Sequence, residues 1–486
     1  MQSPVAKVFF FGFAVAASLC LIALVPSALL SGSAAFAAAM ATCFCLGLMV
    51  CLARSRETGE TAFSIAIYSW WFLIISEQLF VRKGLSEAGL AGKFSGDAYG
   101  EVFIWAVIFL SMISVFGKRG FLLSILRTPV KWLLLFALLA IFSCAYSPTP
   151  MFSFAWAFKL LVGVLILIAC VDKMGQPAKQ ITFWKSLFWA YVVLVFAPLA
   201  TCITHPQTMF GWRGFDGSQP PEFRLNTNIH PVDLSQHAAI LVILALALYS
   251  IDRRRSRMAV VAIAVIVMIL AVGKAAILSC VVCSILFFVL QGRFKAGMGW
   301  VLLVFGTGAL ALFVTPIGSY FQEYETRESA ETLTGRTELW DLAIPAIKQR
   351  PIIGHGFVAS KFISEAVDAD WDAGHLHNAF LEVMYNNGLV GLLLMLAVNG
   401  CIVRNVWIVL RRSRDHNLRT LTSGSFVLYV FLMLNGFVEP TFGGRPSCVF
   451  LVFQGLLLLT YGLRKAVPEP VEIQHPVLPH WSPAEI

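Results

Sequence analysis

Apolar runs of roughly 18 to 22 residues, enough to cross a hydrocarbon core of about 30 Å, recur along almost the whole chain. They fall at approximately 8–28, 34–53, 62–79, 102–116, 130–146, 152–171, 181–203, 236–251, 258–272, 275–291, 298–316, 387–408, 421–439 and 447–463. Most are separated by short polar connections, so the pattern predicts an all-α, polytopic membrane protein of about fourteen transmembrane helices. Two connections are far longer than the rest. They divide the chain into an N-terminal bundle (1–203), a first loop (204–235), central helices (236–316), a large second loop (317–386), C-terminal helices (387–464) and a Pro-rich tail (465–486). Both loops are expected to carry short helices.

Composition agrees with this architecture. Of 486 residues, 58% are hydrophobic and 13% charged, with a mean hydropathy of +0.78, whereas soluble domains are about a quarter charged. Such a chain cannot cover itself with polar surface in water. Lysine and arginine then set the orientation, because they are retained in cytoplasmic connections. With the N-terminus inside, "RSRETGE", "GKRG", "DKMGQPAK", "DRRRSR", "QGRFK" and "RRSRDHNLR" are all cytoplasmic, together with both termini. The two long loops face the other side. The net charge of +9 is mostly this orientation signal, and no nucleic-acid partner is needed to explain it. "KVFFFGFAVAASLCLIALVPSALL" reads as a first span and not as a cleaved leader, since a second span follows at once. The 11 cysteines sit in or beside spans and act as small apolar residues. Zinc-protease, Walker and dinucleotide motifs are absent.

Chemistry is therefore sought in the two long loops. The first, "THPQTMFGWRGFDGSQPPEFRLNTNIHPVDLSQHAAI", brings Arg213 and Arg224 together with His205, His230 and His237. Arg213 either contacts a substrate or stacks on Trp212; His230 and His237 are read as structural. In the second loop "RTELWDLAIPAIKQ" has helical spacing, with Thr334 as a cap and Arg336 in the first turn. The turn stretch "PIIGHGF" follows, and the loop closes on "HLHNAFLEVMYNNGLVGLLLML", which places His375, His377, Asn378 and Glu382 at the lip of a span. Glu439, in "GFVEPTFGGR" at the same face, is a charged group beside the membrane and for that reason a functional candidate.

The succession "GRTELW … PIIGHGF … HNAFLE … NGLVG" resembles the signature region of the O-antigen ligase / O-antigen polymerase superfamily, bacterial envelope enzymes that act on polyprenyl-diphosphate-linked oligosaccharides. "FRLNTNIHPVDLSQHAA" resembles that family's arginine loop, and "SCAYSPTPMFSFAWAFKLLVG" its earlier loop and helix. The resemblance implies that His377 is the general base on the acceptor hydroxyl and that Arg224 and Arg336 hold the donor diphosphate. Physical chemistry suits those roles: guanidinium groups stabilise a departing diphosphate bidentately, and histidine titrates near neutrality. One departure stands out. Where many members carry a Ser-x-Ser-Arg-like motif, this chain has "AVGKAAILS", so Lys274 takes the arginine's place and either assists phosphate binding or snorkels to the interface.

Asn378, Arg213, Glu382 and Glu439 are expected as supporting residues and His375 as a neighbour of the base. Neither metal nor cofactor is expected, because arginines supply the countercharge; Asp368 and Asp370 are read as acidic loop surface. The leading reading is polymerisation of undecaprenyl-diphosphate-linked repeat units on the periplasmic side of the inner membrane. Ligation of a finished glycan to lipid A-core or protein is the alternative, and a flippase or transporter the third. Chain-length regulators and export proteins are the expected partners beside the lipid-linked substrate.

Overall fold

The computed structural model describes residues 61–79, 96–115, 125–204, 210–213, 222–225, 227, 229–295, 299, 306, 336–363 and 374–468. Its helices are α1 (Thr61–Leu79), α2 (Gly96–Val115), α3 (Val130–Ser143), α4 (Pro150–Cys170), α5 (Pro177–Thr204), α6 (Pro231–Asp252), α7 (Arg255–Leu270), α8 (Lys274–Leu290), α9 (Arg336–Gln349), α10 (Ala379–Arg412), α11 (His416–Gly436) and α12 (Cys448–Lys465). All but α9 coincide with expected spans. The spans expected at 8–28 and 34–53, and nearly all of 298–316, lie outside the described residues. Helices α4, α5, α6, α10, α11 and α12 are long and apolar enough to cross a membrane, and α1, α2, α3 and α8 contain shorter apolar stretches. The architecture is thus helical and multi-pass, while the total of about fourteen rests on the sequence pattern.

Helices prevail because hydrocarbon offers backbone N–H and C=O groups no partners, and a helix pairs them internally. Ends are fixed locally. Pro150 and Pro231 open α4 and α6, where a missing N–H costs nothing. Asn378, Asp415 and Ser447 cap α10, α11 and α12 by accepting N–H groups of the first turn. The 258–291 stretch does divide into two helices: Val272 takes φ +53° between α7 and α8, and buried Ser235 of α6 donates to Met268 O across that corner. Large apolar side chains such as Phe142, Ile266, Leu278 and Leu393 remain exposed on the helix surfaces, as a lipid-facing bundle requires. Inside the bundle, the Lys159 ammonium lies 5.0 Å and 5.2 Å from the ring centroids of Trp156 and Trp105.

The two ends of the bundle differ. One gathers the α3–α4 turn, the start of α6, the α7–α8 corner, α9, the start of α10 and the α11–α12 connection. The other gathers Arg253, Arg254, Arg255, Arg411, Arg412, Arg414, Arg464 and Lys465. The first loop corrects one expectation. Instead of a short helix its described residues form a hairpin, with β1 (Phe210–Arg213) antiparallel to β2 (Glu222–Leu225) and Gly211 opposite Arg224. "FGWR" and "EFRL" flank a Gly- and Pro-rich stretch, a hairpin signal too short to stand out beside helical periodicity.

Candidate functional site

Arg336 begins α9 as expected. Leu339 and Ala343 bury the inner face of this helix, and the Arg336 guanidinium turns toward the end of α11. There its Nη2 donates to Glu439 Oε1 at 3.0 Å, with both side chains mostly buried. The same oxygen lies 3.3 Å from His377 Nδ1, and Glu439 Oε2 lies 3.9 Å from His375 Nε2. The two imidazole centroids are 4.0 Å apart. Three stretches far apart in sequence thus meet on one carboxylate.

The turn that carries the histidines is held on both sides. His377 occupies the left-handed region at φ +50°, which a non-glycine residue adopts at some cost. On one side, the Leu376 N–H donates to Oε2 of buried Glu382 at 2.9 Å. On the other, Trp340 Nε1–H of α9 donates to Leu376 O at 2.9 Å. Glu382 also accepts from Ser360 Oγ at 2.5 Å and from Asn386 Nδ2 at 3.3 Å. Asn378 caps α10 and donates its Nδ2 to Phe437 O at 3.3 Å, tying the turn to the segment that carries Glu439.

The "PIIGHGF" stretch acts as a second brace. Helix α10 breaks at Gly388 (φ +61°, ψ −161°), and a break frees backbone groups. His355 N–H and Gly356 N–H donate to Tyr385 O and Asn386 O, while Leu389 N–H and Val390 N–H donate to Pro351 O and Ile352 O. From the α3–α4 turn, Ser143 Oγ accepts the Phe357 N–H at 2.9 Å and Ser153 Oγ donates to Phe357 O at 2.7 Å. His355 stacks on Tyr385, and its Nε2–H donates to Ala346 O at 2.8 Å, so this histidine ties α9 to α10.

Hydrogen bonding fixes the protons. Nδ1 of His375 accepts the His377 N–H at 3.2 Å, so a neutral His375 carries its proton on Nε2, toward Glu439. Burial holds His375 well below the usual histidine range, assisted by the electrostatic influence of the neighbouring His377, Arg445, Arg336 and His230. A Glu439 carboxylate only accepts, which puts the His377 proton on Nδ1 and the ring's lone pair on Nε2. One donor atom each from His375, His377 and Glu439 lies within 4.8 Å of the others, the spacing of a three-ligand metal site. Two features oppose a cation there. Arg336 already occupies Glu439 Oε1, and His375 would have to give up the tautomer its backbone contact imposes. The arrangement suits an anion beside a base better than it suits a divalent ion.

Not every expected residue has a described place in this cluster. Arg224 and Arg213 lie opposite Gly211 and Glu222 in the hairpin, with side chains outside the described set. Lys274 is the first residue of α8, at the same end of the bundle. Thr334, His205, Asp368 and Asp370 lie outside the described residues. His237 is fully buried, with Nε2 3.0 Å from Cys448 Sγ and its ring edge-on to Tyr191. Sequence reasoning did not single out Arg445, which, like His230, lies close enough to act electrostatically on His375. The only sequence signal for Arg445 was its place in "GFVEPTFGGR", six residues after Glu439.

Comparison with known proteins points the same way. Residues 259–396 match the model of the family described as O-antigen ligase. The chain is 42% identical over 77 residues to "Exopolysaccharide production protein ExoQ" of Rhizobium meliloti (strain 1021), covering 14% of this chain and 18% of that protein. It is 30% identical over 114 residues to an uncharacterized protein of Haemophilus influenzae, covering 21% of this chain and 26% of the other. The matched stretches are therefore a small part of either relative. Over residues 259–396, the segment that holds Arg336, His375 and His377, this chain is similar to the O-antigen ligase family.

Proposed function

We propose that the protein is a metal-independent glycosyltransferase that polymerises polyprenyl-diphosphate-linked oligosaccharide repeat units at the periplasmic face of a bacterial inner membrane. The observation that carries this reading is the meeting of Arg336 and His377 on Glu439. His377 Nε2 takes the proton of an acceptor sugar hydroxyl while Nδ1–H stays bonded to Glu439. The hydroxyl oxygen forms its bond to the anomeric carbon of the donor as the bond from that carbon to the diphosphate oxygen breaks. The diphosphate leaves with the electron pair, and Arg336 and Arg445 stabilise the charge it gains. Arg224 and Lys274, at the same end of the bundle, are assigned to the remaining phosphate oxygens. Undecaprenyl is the assigned carrier.

Ligation of a completed glycan to lipid A-core or protein is the second reading, favoured by the description of the matched family. The exopolysaccharide role printed for one relative favours polymerisation. Accumulated intermediates in cells lacking the native gene separate the two. Loss of a polymerase leaves single repeat units, and loss of a ligase leaves long chains on the carrier. His377→Ala is expected to cut transfer by about 10²- to 10⁴-fold, the range of general base catalysis, and Glu439→Gln by less, with both proteins still inserted. Full polymer synthesis by His377→Ala would end the catalytic assignment.

A further inference from the structure

At the end of the bundle opposite the candidate site, α3, α10 and α12 bring together cations that the proposed reaction does not use. The Trp132 indole of α3 meets the half-buried Cys401 thiol of α10, and Lys131, Arg404 and Arg464, one from each helix, all act electrostatically on that thiol. Among the described residues no carboxylate acts there with them, and none of the three cations has an ion-pair partner. Lys131 Nζ lies instead 5.1 Å from the Trp132 ring centroid. Two turns beyond Arg404, the Arg411 guanidinium lies 4.3 Å from the ring centroid of exposed Trp407. Cations gathered without countercharge repel one another, and an anion between them removes that cost.

The apolar surface lies on the same helix face as these cations. At the α-helical period of about 3.6 residues, Leu393 stands three turns before Arg404 and five before Arg411. The three therefore share one face of α10, and all three are exposed. Gly400 is on that line between Leu393 and Arg404, and a Cβ added there would meet nothing within 4 Å. Helix α3 flanks the face along its length: Trp132 meets Cys401, and Phe136 Cε2 lies 3.5 Å from where a Cβ on Gly391 would stand. On α3 itself, Lys131 lines up with exposed Leu135, Leu138 and Phe142 at helical spacing. Leu393 is about 17 Å along α10 from Arg404 at 1.5 Å per residue, close to the depth of one leaflet of a hydrocarbon core about 30 Å thick. Trp407 stands on the outer side of Arg404, where headgroups meet acyl chains. A free phosphate has no use for the apolar line, whereas a phospholipid fills both parts. We infer that Lys131, Arg404 and Arg464 bind the phosphodiester of an anionic phospholipid whose acyl chain runs along α10 over Gly400 and Leu393. The site is independent of the glycan chemistry at the other end.

The purified full-length protein in detergent provides the test. Dioleoylphosphatidylglycerol, the zwitterionic phosphatidylcholine of the same chains, and inorganic phosphate are added separately, and retained lipid is read by native mass spectrometry alongside thermal stability. Phosphatidylglycerol is expected to be retained and to raise the melting temperature, the other two much less. Lys131→Gln and Arg404→Gln, which alter half-buried and exposed side chains, are each expected to weaken retention by about fivefold, the effect of about 1 kcal/mol per basic residue. Gly400→Leu keeps every cation and fills the open line, so it is expected to weaken retention as well. Arg293→Gln, a charge change just past the end of α8 at the same end of the bundle, is expected to leave retention unchanged. Equal retention of phosphatidylcholine, equal stabilisation by inorganic phosphate, full retention by Gly400→Leu, or equal loss in Arg293→Gln would overturn the proposal.

Discussion

Residue chemistry at the candidate site is governed by Glu439, which serves Arg336 and His377 through one oxygen. Bonding to a carboxylate on one ring nitrogen fixes the tautomer and leaves the lone pair on the other, as the base role proposed for His377 requires. His375 is tuned differently. Its pKa is pushed down by burial and by the cations around it, so the folded protein keeps it neutral where an unfolded chain would protonate it. Between its depressed folded pKa and the ordinary value of about 6.5, the unfolded state binds more protons, and stability falls as pH falls through that window. Thermal melts between pH 5 and pH 7 are expected to show this acid-side loss in the parent and a shallower loss in His375→Asn. Parallel pH profiles for the two proteins would show that His375 is not the group that titrates.

At the scale of elements, the broken helix α10 determines where the histidines stand. Gly388 adopts a left-handed φ, and an added Cβ there would collide with the Ile352 carbonyl and the Ile353 N–H of the bracing segment. Gly388→Ala is therefore expected to lose about 1 to 3 kcal/mol through backbone strain alone, read as a lower denaturation midpoint of the detergent-solubilised protein. Activity should fall with it, since the displaced brace also carries Ser360, a partner of Glu382. An unchanged midpoint would mean that the break adapts without the brace. Much of this level was legible in the sequence. Long apolar runs located the spans, and "RTELWDLAIPAIKQ" located α9, because helix period and length are local signals. The hairpin in the first loop was hidden because its strands are four residues each. The partnership of Glu382 with Leu376, Ser360 and Asn386 was hidden because it depends on a loop folding back on a helix, which no periodicity encodes.

Over the whole molecule, the arrangement separates two kinds of positive charge. One end of the bundle holds Arg336 and Arg445 around a buried carboxylate and two imidazoles, while the other presents Arg253 to Arg255 and Arg411 to Arg414 on exposed helix ends. Exposed cations flanking spans are the ones retained in the cytoplasm, because moving them across the bilayer during insertion is opposed. Partly buried cations paired within a folded loop are not part of that count. The basic end is therefore expected to face the cytoplasm and the candidate site the periplasm, which is also where a glycan already carried across the membrane on a lipid would be found. Exposed Lys348 of α9 and exposed Arg414 between α10 and α11 report on the two ends. In intact cells a membrane-impermeant maleimide is expected to label Lys348→Cys, and to label Arg414→Cys only after the inner membrane is opened. Cys144, Cys170, Cys280, Cys283, Cys401 and Cys448 are buried or half-buried within the bundle, which keeps background labelling from them low. The reverse labelling pattern would put the histidines on the cytoplasmic side, and the acceptor chemistry assigned to His377 would then have no translocated substrate to act on.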